Sequence, residues 1–188
     1  MTATADGTFL AETTDLLART PLVLTALLSG LPDSWGDTAD TPGGWRPRDV
    51  VGHLVTAELS NWLDRTRRLL DDGTTKAFDA FDRVAMLERD RDRSLDDLIT
   101  QFAELRGRNL AALADLGLGP ADLDRVGLHP ALGEVTLRNL LAAWTVHDLD
   151  HISQVYAGLA GSRDEAVGPW KVYLGILLRR TDPAATPG

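Results

Sequence analysis

Four long stretches of this chain repeat their apolar residues at helical spacing. No stretch alternates them convincingly with the period of two that a half-buried strand needs. Thr8 to about Ser29 carries Phe9, Leu10, Leu16, Leu17, Leu24, Leu27 and Leu28. Within it, Pro21 either kinks one helix or, behind a Thr20 cap, starts a second. Pro47 suits a first turn, and the helix it opens runs to about Leu70 with a stripe of Val51, Val55, Leu59 and Trp62. Ser94, followed three residues on by Asp97, opens a third helix that buries Leu98, Ile99, Phe102, Leu105 and Leu113 and ends near Leu116. Thr136 caps the fourth, to about Leu159. The expectation is an all-α four-helix bundle.

Between these helices the chain is rich in turn residues. Leu31 to Trp45 reads as a loop pinned to the core by Trp35 and Trp45, and Ala121 to Val135 as a second long loop. Asp71 to Arg93 is polar and irregular, with a short helix around Phe81 to Arg89. A connection of that length predicts a crossover in place of simple up-down links. Val167 to Leu178 predicts a short C-terminal helix carrying Trp170, Tyr173, Leu174 and Leu177. One domain spans 1–188, with flexible ends at 1–7 and 180–188.

Trp144 to Val155 reads W-T-V-H-D-L-D-H-I-S-Q-V and places His147 and His151 at spacing i, i+4. At 3.6 residues per turn the two imidazoles stand one above the other and can turn nitrogens onto one metal ion. The same face presents Leu140, Trp144, Val155 and Gly158, so the histidines point into a core. His53, on the second helix, is surrounded by Val50, Leu54 and Ala57 and needs a buried partner. That partner is a metal shared with His147 and His151, or else a carbonyl or carboxylate.

Other candidates are weaker. His129 precedes Pro130 in a loop; it lines the mouth of a site as a substrate-binding or acid–base group, or is merely exposed. Gln154 lies one turn beyond His151 and can hydrogen-bond a bound ligand, while Trp144 serves as wall. Asp148 and Asp150 flank the stripe; either one orients a ligand histidine, or the spare histidine nitrogens meet carbonyls or water instead. Glu58 lies off the His53 face and reads as a surface or structural residue.

A net charge of −9 argues against non-specific binding to nucleic acid or to anionic membranes. The chain has no cysteine, which removes disulfides, thiolate metal sites and cysteine nucleophiles and fits the cytoplasm. No apolar run approaches a membrane span, and Met1 to Gly7 does not resemble a signal peptide.

The strings W-R-P-R-D-V-V-G-H-L (Trp45 to Leu54) and G-E-V-T-L-R-N-L-L-A-A-W-T-V-H-D-L-D-H-I-S-Q-V (Gly133 to Val155) resemble the second and fourth helices of the DinB-like, or DinB/YfiT-like, family of metalloenzymes. The tail A-V-G-P-W-K-V-Y-L (Ala166 to Leu174) is similar to one branch of it. The resemblance runs from about Phe9 to Leu178. It implies up-down-down-up topology and a divalent metal held by His53, His147 and His151. It also implies a homodimer, and chemistry on low-molecular-weight thiols such as bacillithiol or mycothiol.

Three neutral histidines leave at least one position open on a zinc-like ion, as catalytic sites do. Zinc or nickel heads the candidates, with iron and manganese also compatible. The expected function is therefore a metal-dependent enzyme, a thiol S-transferase acting on a small electrophile, or a hydrolase. The alternatives are a non-catalytic metal- or small-ligand-binding bundle and a helical dimer whose histidines only fill the core.

Overall fold

The computed structural model describes residues 3–39 and 41–179; the expected flexible end at 180–188 lies outside them. Helix α1 (Ala3–Leu28) starts before Thr8 and runs unbroken through Pro21. A proline in a helix leaves the carbonyl four residues earlier without its N–H. Here that carbonyl belongs to Leu17, and Nη1 of Arg106 donates to it at 2.7 Å.

The segment expected as one helix from Pro47 to Leu70 is two, α2 (Pro47–Ser60) and α3 (Trp62–Asp72), broken at Asn61. The break turns Trp62 inward, and its ring stacks on Trp144 at 5.8 Å. Leu59, within α2, does not join the expected buried stripe and is 46% exposed. A short helix, α4 (Ala85–Arg89), sits in the connection to α5 (Leu95–Asp115). Ser94 caps α5 by accepting from the Asp97 N–H at 3.1 Å, and Thr136 caps α6 (Leu137–Gly161) by accepting from the Asn139 N–H at 3.1 Å.

Ala121 to Val135 is not all loop. Val126–His129 (β1) and Gly133–Thr136 (β2) pair antiparallel, with Val126 opposite Thr136 and His129 opposite Gly133. Each strand has four residues, too few for alternation to stand out in the sequence. The C-terminal helix is likewise divided, into α7 (Asp164–Val167), a 3₁₀ stretch (Gly168–Tyr173) and α8 (Gly175–Arg179). Leu177 is buried there, whereas Trp170 and Tyr173 face outward, 71% and 79% exposed.

The long helices make a four-helix bundle in which α1 packs on α5 and α6, and α2 packs on the same two. Its apolar core falls into two clusters. One gathers Leu24, Leu54, Phe102 and Val155 with their neighbours; the other gathers Leu17, Trp62, Leu113 and Trp144. Between them lies a buried polar layer. The Arg106 guanidinium donates to Oε1 of Glu58 (3.1 and 2.8 Å), to Oδ2 and Oδ1 of Asp148 (2.6 and 3.0 Å) and to the Leu17 carbonyl. Thr20 donates to Asp148, and the Trp144 indole and Asn109 amide donate to Glu58. Glu58, read from sequence as surface or structural, is only 4% exposed and belongs to this core network.

Removing one member of a buried ion group strands the others, at a cost of about 3–5 kcal/mol. Arg106→Ala should therefore lower unfolding stability by about that much in urea titration. Adding Glu58→Gln and Asp148→Asn should recover part of the loss. No recovery would mean that Arg106 acts through packing and not through charge.

Candidate metal centre

His53 sits in the second turn of α2, where the backbone is anchored by Asp49. The Asp49 carboxylate accepts from the Arg46 backbone N–H at 3.0 Å and from its guanidinium at 2.8 Å. Gly52, just ahead of His53, has no Cβ, and a Cβ there would lie 2.8 Å from Oδ2 of Asp90 and 3.1 Å from Met86. The glycine thus lets α4 close onto α2. Arg89 fixes the contact by donating to the Gly52 carbonyl and the Thr56 hydroxyl, both at 2.9 Å. This docking brings the Arg83 carbonyl to 3.0 Å from His53 Nδ1.

A carbonyl only accepts, so His53 Nδ1 carries the proton and Nε2 presents its lone pair. On α6, His151 Nδ1 donates to the Gln154 amide oxygen at 2.8 Å, which bares His151 Nε2 in the same way. His147 completes the group. Its Nε2 lies 3.1 Å from His53 Nε2 and 3.0 Å from His151 Nε2. One ligand nitrogen from each residue falls within 4.8 Å of the other two.

The donor set fits a divalent transition ion. Two bare lone pairs face His147 Nε2, and one proton on that nitrogen makes a straight bond to only one of them. A cation where the three meet satisfies all three nitrogens. Ligand nitrogens about 2.0–2.1 Å from a tetrahedral ion lie about 3.3–3.4 Å from one another, close to the separations observed. His147 Nδ1 is buried without a hydrogen-bond partner, so neither ring nitrogen of this residue is fully served by protein alone.

Burial first, then neighbouring histidine charge, holds His53 down to about 4 and His147 down to about 2. Burial lowers His151 as well, against the pull of its Gln154 bond and of Asp150 and Asp148. All three are neutral at pH 7, the form that ligates metal.

Aromatic rings wall the cluster. Trp45 lies 4.7 Å from His53 and stacks on His151 at 6.0 Å. Phe81 meets His53 edge-on at 5.5 Å, and Trp62 meets His147 edge-on at 5.0 Å. Sequence reasoning gave Trp45 a loop-anchoring role only. Its signal was position, eight residues before His53 and directly ahead of the Pro47 helix start. The Arg83 carbonyl had no signal, because any residue carries one.

The remaining candidates divide. Gln154 is in the centre, bonded to His151. Trp144 is fully buried, tied to Glu58 and stacked on Trp62, whose ring in turn meets His147. His129 is on β1, against Phe78 at 6.1 Å, with Nδ1 accepting from the Ala131 and Leu132 N–H groups. The structure does not bring it to the three histidines. Asp148 orients no histidine, since its oxygens are taken by Arg106 and Thr20.

A protein-family model described as the DinB superfamily matches residues 16–155. A Bacillus subtilis (strain 168) protein described as "Putative metal-dependent hydrolase YfiT" is 28% identical over 143 residues, 74% of this chain and 78% of the relative. A Bacillus licheniformis protein bearing the same description, apart from YfiT, is 28% identical over 145 residues, 75% of this chain and 80% of its own. The solved structure of YfiT from Bacillus subtilis, reported as "a probable metal-dependent hydrolase with an unusual four-helix bundle topology", superposes with a TM-score of 0.69. It is 26% identical and covers 83% of this chain and 87% of that one.

The depressed histidines carry a pH signature. His53 titrates near 6.5 when unfolded and near 4 when folded, so between those values the unfolded chain binds more protons. Its contribution to stability is complete above 6.5 and is lost as pH falls toward 4. Metal-free protein should lose about 2 kcal/mol through His53 between pH 7 and 5. Urea unfolding of wild type and His53→Gln measures this; equal pH slopes in the two would remove His53 as the source.

Proposed function

The chain belongs to the DinB superfamily, and on that premise we propose that it is a metal-dependent enzyme. In this reading His53, His147 and His151 hold one divalent transition ion, zinc or nickel ahead of iron or manganese. The observation that carries it is the convergence of three imidazole Nε2 atoms, two of them bared by hydrogen bonds from Nδ1 to Arg83 and Gln154. A closed structural zinc site takes four protein ligands. Among the described residues this group numbers three, which leaves room for an exogenous ligand.

An ion so held supplies Lewis acidity, lowering the pKa of a coordinated water or thiol toward neutrality. The chain's residues set the conditions for that chemistry. Arg83 and Gln154 keep the ligand nitrogens aimed inward, and Trp45, Phe81 and Trp62 exclude bulk water from the histidine faces. Among the described residues, no carboxylate is hydrogen-bonded to the cluster, because Glu58 and Asp148 are occupied by Arg106. Among the described residues, then, neither of these buried carboxylates is placed to take a proton from water. A thiol, with an ordinary pKa of about 8.5 against about 15.7 for water, needs less help.

The reaction we favour is therefore transfer of a low-molecular-weight thiol to a small electrophile, with hydrolysis as the other possibility. The relatives' descriptions name a metal-dependent hydrolase, which supports metal dependence and, for this chain, the hydrolytic alternative. The same engagement of both carboxylates supports a second reading, a non-catalytic metal- or small-ligand-binding bundle. Up-down-down-up helix directions, a homodimer and a cytoplasmic location belong to the proposal, the first two through the family resemblance and the last through the absence of cysteine. Among the described residues no helix is long and apolar enough to cross a membrane.

Elemental analysis of protein purified without chelators or a histidine tag should find about one transition metal per chain, the occupancy of a single three-histidine site. His53→Ala and His151→Ala should each lose it while keeping their helical circular dichroism. Metal retained in both variants would sink the site. With metal established, turnover of a thiol and an electrophile selects the transferase, turnover of an ester without thiol selects the hydrolase, and neither selects the binding bundle.

A further inference from the structure

Arg83 contributes more than its carbonyl. It lies in the turn just before α4, two residues from Phe81, whose ring meets His53. Its backbone is fixed against His53 Nδ1, so the residue is held at the edge of the three-histidine group. Its side chain is exposed, and no ion pair or side-chain hydrogen bond engages it among the described residues. Most nearby arginines are used: Arg68 pairs with Asp79, Arg89 and Arg93 with Asp90, and Arg91 with Glu88.

The charge balance of the site has a direction. Three neutral imidazoles contribute no charge, a divalent ion brings two positive charges, and Arg83 adds a third. Asp148 and Asp150 are the carboxylates that stand between and beside the two α6 histidines in sequence. Asp148 is neutralised by Arg106, and Asp150 is exposed on α6. A half-buried positive centre of this kind is stabilised by an anion that brings its own charge. An unpaired guanidinium on the residue whose carbonyl holds His53 suits a planar oxyanion, which it can grip through two parallel hydrogen bonds.

We propose that Arg83 is the anion-binding residue of this site, and that the natural ligand is a small molecule bearing a carboxylate a short carbon chain away from the group that meets the ion. The proposal rests on the three-histidine metal reading. Arg83 sets specificity: it selects among metal-binding molecules by their second, charged group.

The test uses full-length protein loaded with cobalt(II) and two thiol probes that differ only in the distal group. These are 3-mercaptopropionate and 2-mercaptoethanol, titrated by the cobalt–thiolate absorption. Wild type should prefer the carboxylate-bearing thiol. Arg83→Gln keeps the backbone carbonyl on His53 and should keep its cobalt and its affinity for 2-mercaptoethanol. Its preference should fall about threefold to tenfold, between the values of an exposed ion pair and of a charge-assisted hydrogen bond. Arg83→Lys should retain part of the preference, and added salt should weaken it in wild type more than in Arg83→Gln. Cobalt uptake with the same preference in wild type and Arg83→Gln would overturn the role of Arg83 alone. Failure of wild type to take up cobalt would overturn the metal reading, and this inference with it.

Discussion

The arrangement of this protein depends on one buried guanidinium. Arg106 reaches from α5 across the middle of the bundle and meets a carboxylate on α2, a carboxylate on α6 and a carbonyl on α1. The carbonyl is available because Pro21 cannot donate to it, so a defect in one helix becomes an acceptor for another. A buried ion group of this kind is weak evidence for stability, since desolvation offsets much of the attraction. Its effect is on register. Glu58 lies five residues after His53, and Asp148 directly follows His147. Fixing those two carboxylates on one guanidinium also fixes how α2 and α6 stand against each other, and with them the three imidazoles.

The histidines depend on that register because their outer partners are not charged. A ligand histidine backed by a carboxylate becomes more basic and shares negative charge with its metal. Here the backing groups are a carbonyl and an amide oxygen. They set orientation and tautomer and leave the imidazoles neutral. An ion in such a set keeps most of its charge and acts as a strong Lewis acid. The aromatic walls act in the same sense, by keeping solvent from screening it.

Much of the scaffold was legible from the sequence. Periodicity marked the long helices, and the caps at Ser94 and Thr136 fall where hydroxyl side chains precede apolar runs. Spacing paired His147 with His151, and burial of His53 among valine, leucine and alanine asked for a partner. The illegible parts were those set by tertiary contact. Glu58 and Arg106 look like ordinary helix-surface charges, since nothing local distinguishes a charge that faces another helix from one that faces water. The segment from Pro47 to Leu70 looked like one helix because the break at Asn61 has no proline or glycine to announce it. The hairpin of β1 and β2 is too short to show a period. His129 read as a loop residue, and the fold took it to the hairpin; Trp144 lies in the core, on the face where the sequence placed it.

The imidazole contact between His53 and His147 spans 94 residues of chain, whereas that between His147 and His151 spans four. The chain before folding therefore offers at most a two-toothed grip, and the third tooth arrives only when α2 has docked beside α6. Any ion that prefers three nitrogens to two distinguishes the finished bundle from its precursors. It favours the native state by the difference between those affinities and not by the whole of either. Metallation of the proposed site would therefore come late, retaining chains whose distant halves have met.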